Sequence, residues 1–229
     1  MEKRVTFRGW LLPLLLIAPQ VVISLVFFFY PAGQAVWQSL FVADPFGLSS
    51  QYVGLANFEF LLSDRFYRAT FVTTAVFSIL VTLCSMIPAL FLAVMADRLI
   101  KGSGVYRTML IWPYAVAPAI AGVLWLFMFN TRVGLVSWYL GNLGYDWNHV
   151  LNGGEAMGLV VVASAWGRIS YNFLFFFAAL QSVPRSVIEA AAIDGARFWR
   201  RFWTIVLPLL SPTTFFLLVV NVVYSFFET

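Results

Sequence analysis

Charge is scarce in this sequence. Asp, Glu, Lys and Arg make up 10% of the 229 residues, 62% are hydrophobic, and the mean hydropathy is +0.87. Soluble domains carry about 25% charged residues and roughly 45–50% apolar ones. So few polar groups do not cover a water-facing surface, and lipid is the expected solvent. Cysteine is nearly absent: Cys84 stands alone in an apolar run, which excludes an intrachain disulfide and a thiolate metal cluster. Histidine is also single. His149 lies beside Asp146 and Asn148 without ligand spacing, so no metal role is assigned to it. There is no G-x-x-x-x-G-K-[ST] loop to cradle nucleotide phosphates. No Ser/His/Asp or paired-carboxylate arrangement is visible either, so the chain is not read as an enzyme and no residue is assigned as catalytic.

What is present in quantity is uninterrupted apolar sequence. Five stretches reach spanning length, at residues 10–31, 70–96, 108–129, 156–180 and 204–227. At about 1.5 Å per helical residue, each crosses a hydrocarbon core of about 30 Å. The first follows Lys3, Arg4 and Arg8, as a signal peptide would, but it exceeds the roughly 7–15 residues of a signal core. It is read as a retained helix. The expected fold is an all-α multi-spanning bundle forming one transmembrane domain over residues 1–229.

Orientation follows from the cations. Lys3, Arg4 and Arg8, then Arg98, Lys101 and Arg107, then Arg185, Arg197, Arg200 and Arg201 fall on one side of the spans. Arg65, Arg68 and Arg132 fall on the other. Short loops rich in Lys and Arg stay in the cytoplasm, so the N-terminus is expected there. The same bias accounts for the net charge of +4, and nucleic acid is not an expected partner. Pro13, Pro19, Pro88, Pro113, Pro118, Pro208 and Pro212 interrupt the spans. Each removes a backbone donor and tends to bend a helix, so carbonyls freed in lipid need protein or cavity water. That many breaks favour a bundle around a pathway.

The last positively charged segment, residues 184–207, has its own logic. Pro184 suits the first position of a helix, with Ser182 or Val183 near its cap. Glu189-Ala190-Ala191-Ala192 propagates that helix and leaves a face of low relief. Asp194-Gly195-Ala196 supplies a turn, with Gly195 permitting positive φ. A second helix then runs into the last span. Two readings stand on these residues alone: a handle gripped by a partner, or a connector lying on the membrane with Arg197, Arg200 and Arg201 facing anionic lipid.

Residues 189–212, with Glu-Ala-Ala, Asp-Gly-Ala and the closing Leu207-Pro208 and Pro212, resemble the EAA signature of ABC importer permeases. Val53-Gly54-Leu55-Ala56-Asn57-Phe58, together with Lys101-Gly102, Arg107 and Pro113, resembles the maltose-type carbohydrate-uptake branch. Asp44-Pro45-Phe46-Gly47, residues 113–118, residues 144–149 and residues 169–176 are similar to the A-type permeases of sn-glycerol-3-phosphate importers. The resemblance implies a type I importer permease fold and half of a pore for sn-glycerol-3-phosphate and glycerophosphodiesters, in a bacterial inner membrane. It implies four kinds of partner: a second permease, two ATP-binding subunits, a periplasmic substrate-binding protein and membrane lipid. ATP and Mg would be bound by the ATP-binding subunits, with no cofactor on this chain. Segment 184–207 would be the coupling helix: Glu189 a charged contact, Asp194 and Gly195 the turn, Ala190, Ala191 and Ala196 the close packing. Such permeases have six spans, so a last helix is expected beyond Thr229.

Within the spans, Arg168 stands out. A cation at mid-span costs about 2.5–3.5 kcal/mol on insertion scales and should face a cavity or a partner. Ser164, Arg168, Tyr171, Asn172 and Phe175 recur at three- and four-residue spacing, on one helix face. Such a face is expected to line a pathway and meet a phosphate and its hydroxyls through charge-assisted bonds. Pairing of Arg168 with an acid on a partner permease, or snorkelling to a surface, is the competing account. A permease for a neutral sugar or oligosaccharide, an ion-gradient-driven secondary transporter and a membrane anchor remain as other readings of the whole chain.

Overall fold

Each of the five apolar stretches folds as helix, three unbroken and two bent. The structure is a computed structural model that describes residues 9–44, 46, 49–98 and 103–227. Lys3, Arg4, Arg8, Pro45, Gly47, Lys101 and Gly102 lie outside the described residues. The chain divides into two units, residues 1–71 and 72–229.

In the first unit, α1 (Leu11–Ser24) and α2 (Tyr30–Gln38) join through a π turn at Leu25–Phe29 into one 28-residue helix. It extends beyond the expected end at residue 31. The π turn closes two residues before Pro31, which has no N–H and whose ring crowds the carbonyl four residues back; widening the turn relieves that clash. A short hairpin follows, β1 (Phe41–Ala43) antiparallel to β2 (Ser50–Tyr52), with Phe41 opposite Tyr52. Gly54 takes φ +59 in the turn before α3 (Ala56–Ser63). Asn57 then donates through Nδ2 to the carbonyls of Ser39 (2.8 Å) and Phe41 (3.1 Å). The shared stretch at residues 53–58 is therefore a turn and a side-chain clamp on the preceding hairpin.

The 34-residue α4 (Arg65–Arg98) begins at the end of this unit and carries Pro88 without a break. In the second unit its Ala89, Ala93 and Ala96, all 0% exposed, pack with Phe173, Phe176, Phe177 and Leu180 of α8 (Gly153–Ser182) and Leu217 of α12 (Ser211–Phe227). In lipid, burying apolar atoms against each other gains little over burying them in acyl chains. Close packing of small against large residues is what holds such helices together. Arg107, on α5 (Ser103–Ile111), lies over the Phe177 ring at 4.1 Å.

The third stretch is not one helix. After α5 comes a 3-10 turn at Trp112–Ala115, then extended Val116 and Ala117, then α6 (Pro118–Met128), and the two halves meet at 95°. Pro118 disfavours helical backbone at Ala117 and suits the first position of a new helix. The fifth stretch breaks likewise. α10 (Phe198–Arg201), a π turn at Phe202–Val206 and α11 (Leu207–Leu209) form one piece, bent 66° from α12. Again the π turn closes two residues before a proline, Pro208.

Between α6 and α8 the chain makes a hydrogen-bonded cap. The Asn130 side chain accepts from the Arg132 and Val133 amides, Gly134 enters α7 (Leu135–Asn142), and Ser137 and Trp147 both donate to the Phe129 carbonyl. Glu155 accepts from the Tyr145 hydroxyl, the Asn148 amide and Asn152 Nδ2. The Glu155 carboxylate raises the Tyr145 phenol above its ordinary range, foremost by taking its hydrogen bond.

Candidate translocation and coupling sites

Helix α8 carries the candidate pathway residues, and its neighbours decide which reach open space. Ser164, Arg168 and Tyr171 line a half-open cavity of about 530 Å³, together with Tyr114 of the 3-10 turn, Trp125 of α6 and Tyr224 of α12. The break in the third stretch makes this space: an unbroken helix would present a flat flank where Val116 and Pro118 now line a recess. Aromatic pairs fix its walls, Tyr114 with Tyr171 at 6.1 Å and Trp125 with Trp166 at 5.9 Å.

Arg168 is tied to α12. Its Nη1 donates to the Asn221 carbonyl at 3.0 Å and to Ser225 Oγ at 2.7 Å. Charge-assisted bonds of this kind offset the cost of a cation among apolar helices. Ser225 Oγ donates in turn to the Asn221 carbonyl at 2.6 Å.

Asn172 goes elsewhere. It is 0% exposed; its Nδ2 donates to Ser85 Oγ (3.1 Å) and Asn221 Oδ1 (3.3 Å), while Asn221 Nδ2 donates to Asn172 Oδ1 (2.7 Å). One residue along a helix rotates the side chain by about 100°, and that step carries Asn172 from the cavity into the α4–α8–α12 contact. Phe175 also lies off the cavity wall, packed on Tyr171 at 4.8 Å and Phe216 at 5.5 Å. Helical spacing on α8 does not point to Asn221, Tyr224 and Ser225, which come from α12. Their signal was present as an amide, a phenol and a hydroxyl in an otherwise apolar run.

The segment after α8 folds as the expected hairpin, with one shift. Pro184 caps α9 (Arg185–Ile193) in extended backbone, ψ 123, instead of occupying its first turn. At the other end Gly195 takes φ +78; its amide donates to Ala192, and the Ala196 amide donates back to Ala191 at 3.0 Å. These two bonds are a Schellman motif, which satisfies the terminal carbonyls and needs a left-handed residue between them. Asp194-Gly195-Ala196 is thus a stop with defined geometry. Ala191 is buried and Ala196 half-buried, whereas Glu189, Ala190, Asp194 and Gly195 are exposed, and Ile193 stands 87% exposed at the tip. Arg201 Nη1 donates to the Ile188 carbonyl at 3.4 Å and stitches α10 to α9.

Broken helices line a cavity, and an exposed hairpin leads from them into a further helix, an arrangement suited to a transport permease. Two solved structures share the fold. A bacterial ABC transporter that imports the acidic polysaccharide alginate matches with TM-score 0.73 at 22% identity, over 93% of this chain and 72% of that one. The alginate transporter in complex with an alginate pentasaccharide-bound periplasmic protein matches with TM-score 0.74 at 23% identity, over the same shares. Residues 45–229 match the family model of the binding-protein-dependent transport system inner membrane component. The chain belongs to that family and is a permease subunit of an ABC importer, multi-pass in the inner membrane. Its relatives include the sn-glycerol-3-phosphate transport system permease protein UgpA of Rhizobium meliloti, 59% identical over 99% of this chain and 78% of that protein. UgpA of Yersinia enterocolitica is 59% identical (96% and 75%), and UgpA of Salmonella typhi 58% (100% and 77%).

Proposed function

We propose that this chain forms half of the pore of an ATP-driven importer of sn-glycerol-3-phosphate, with glycerophosphodiesters as related cargo. The observation that carries the reading is Arg168 on the wall of the cavity, its guanidinium held by Asn221 and Ser225. A fixed cation in a recess of low dielectric favours a phosphate ester over a neutral sugar. Ser164, Tyr171 and the surrounding phenols offer partners for glycerol hydroxyls, while Asn172 acts from behind by fixing Asn221. Identity near 59% to relatives named for this cargo supports the same choice.

The pore is completed by a second permease, and a periplasmic binding protein delivers the cargo. Two ATP-binding subunits, which hold ATP and Mg, grip the α9 hairpin through Glu189, Ala190, Asp194, Gly195 and the exposed Ile193, while Ala191 and Ala196 pack the hairpin from within. The N-terminus is cytoplasmic, as is the hairpin. Closure of the ATPase pair moves α9. The Schellman stop and the Arg201 stitch make the hairpin stiff, so its motion passes through Phe198–Leu209 to α12. That helix holds Arg168. Movement of the motor therefore reaches the cation that meets the cargo, and the cavity changes its side of access.

Arg168→Met in the complete transporter, with uptake of labelled sn-glycerol-3-phosphate measured beside ATPase activity, tests this. Uptake should fall at least tenfold at low substrate while the subunits still assemble, since one lost charge-assisted bond is worth about 1.5–3 kcal/mol. Unchanged uptake with intact ATPase coupling, or uptake of neutral sugars in preference to phosphate esters by the unaltered complex, overturns the reading.

A further inference from the structure

Helix α12 has 17 residues, about 25 Å at 1.5 Å per residue, close to the thickness of the hydrocarbon core. The stretch Phe198–Leu209 meets it at 66°. A helix joined at that angle to a spanning helix runs nearer the membrane plane than its normal. Its two sides differ. Phe198, Arg201, Phe202 and Ile205, at three- and four-residue spacing, turn inward, with Phe202 8% exposed and Arg201 bonded to Ile188. Trp199 (63% exposed), Arg200 and Trp203 (60%) turn outward, and exposed Arg197 stands just ahead of them. Among the described residues no hydrogen bond or ion pair holds the Arg197 or Arg200 guanidinium.

We infer that Phe198–Leu209 lies in the membrane interface and that Arg197 and Arg200 take the phosphate of an anionic phospholipid headgroup. Trp199 and Trp203 seat the helix at that depth, where indole rings combine an apolar body with one N–H donor. Paired cations beside two exposed indoles suit an anionic bilayer surface, which attracts each Lys or Arg near it. The site goes beyond the transport reading, because it needs neither cargo nor motor. It has a mechanical consequence, since Arg201 on the same helix is tied to α9: lipid occupancy sets the level at which the hairpin rides.

The complete transporter in nanodiscs of phosphatidylcholine, with or without phosphatidylglycerol, supplies the test. The tryptophan signal lost in a W199F/W203F variant should be quenched more by brominated phosphatidylglycerol than by brominated phosphatidylcholine. R197Q/R200Q should abolish that difference, each substitution weakening anionic-lipid affinity about fivefold, and R197K/R200K should keep it. ATPase activity should respond to phosphatidylglycerol in the unaltered complex and not in R197Q/R200Q. Equal quenching by the two lipids overturns the site, as does a preference that survives R197Q/R200Q. Loss of the ATP-binding subunits from R197Q/R200Q in both lipids would assign these cations to a protein interface instead. An ATPase rate indifferent to lipid overturns the mechanical consequence.

Discussion

Arg168 on α8 donates to Ser225 Oγ on α12 at 2.7 Å, across 57 residues of sequence. The bond joins the helix that lines the cavity to the helix that continues from the hairpin. Ser225 thus positions a charge and does not itself line the cavity. Ser225→Ala should raise the KM for sn-glycerol-3-phosphate uptake about tenfold, the worth of a hydrogen bond to a charged group. The maximal rate should change much less. Ser225→Thr, which keeps the hydroxyl, should recover most of the affinity. Initial rates against substrate concentration decide it: equal loss in both variants would mean that packing at this position matters and the hydroxyl does not.

Asn172 and Asn221 exchange hydrogen bonds between α8 and α12 in full burial, with Ser85 of α4 as the third member. Truncating one amide removes the bonds the pair exchange and leaves the other only partly satisfied, Asn221 through the Leu217 carbonyl (2.8 Å) and Asn172 through Ser85. A buried group left wholly unsatisfied costs roughly 1–3 kcal/mol in water-soluble cores. Interhelical bonds average about 0.6 kcal/mol in a membrane bundle, so the smaller figure is expected. Asn172→Leu should therefore lower the melting temperature of the purified chain. Asn172→Leu with Asn221→Leu should cost less than the sum of the two single changes, because no half-satisfied amide remains buried. Thermal unfolding in detergent around this double-mutant cycle measures the coupling, and strict additivity would contradict it.

How much of this was legible beforehand depended on the kind of signal. Gly195 was readable because only a left-handed residue makes the stop that Asp194-Gly195-Ala196 announces. Arg168 was readable because a mid-span cation needs a reason. Asn172 is a different case: three- and four-residue spacing groups neighbours on a face about 100° wide, and Asn172 sits at its edge. Whether an edge residue meets a cavity or a neighbouring helix depends on tertiary packing. The 95° break was half legible. Pro113 and Pro118 announced a disturbance, but Pro88 sits in an unbroken helix, so proline alone does not separate a tolerated kink from a new helix start.

Gly134 and Gly158 offer a contrast in what a single methyl does. A Cβ on Gly134 would collide with the backbone of Asn130 and the Met128 carbonyl, in the turn that the Asn130 side chain holds. Backbone cannot step aside as a flexible side chain can, so Gly134→Ala should destabilise the cap by about 1–3 kcal/mol, as overpacking does. Gly158, inside α8, has nothing within 4 Å of a built Cβ. Gly158→Ala should be neutral or stabilising by about 0.5–1 kcal/mol through helix propensity. Thermal melts of the two purified variants give the comparison, and a Gly134→Ala melt matching the parent would mean the turn rearranges.

Gly195 tests whether the hairpin works by stiffness. At φ +78 an added Cβ clashes with the following carbonyl, at about 1–2 kcal/mol for a left-handed L-residue. Gly195→Ala should therefore loosen the Schellman stop and free Ala196 from the Ala191 carbonyl, while leaving the cavity around Arg168 untouched. In the complete transporter, substrate-stimulated ATPase activity should fall several-fold, with basal hydrolysis and cargo affinity little changed. Gly195→Asn should fall between Ala and the parent, since Asn tolerates this backbone region better than other residues with a side chain. The order Gly, Asn, Ala in coupling is the expected result. An Ala variant as well coupled as the parent would show that the hairpin transmits motion without a rigid end, and the tie between Arg201 and Ile188 would then have to carry it alone.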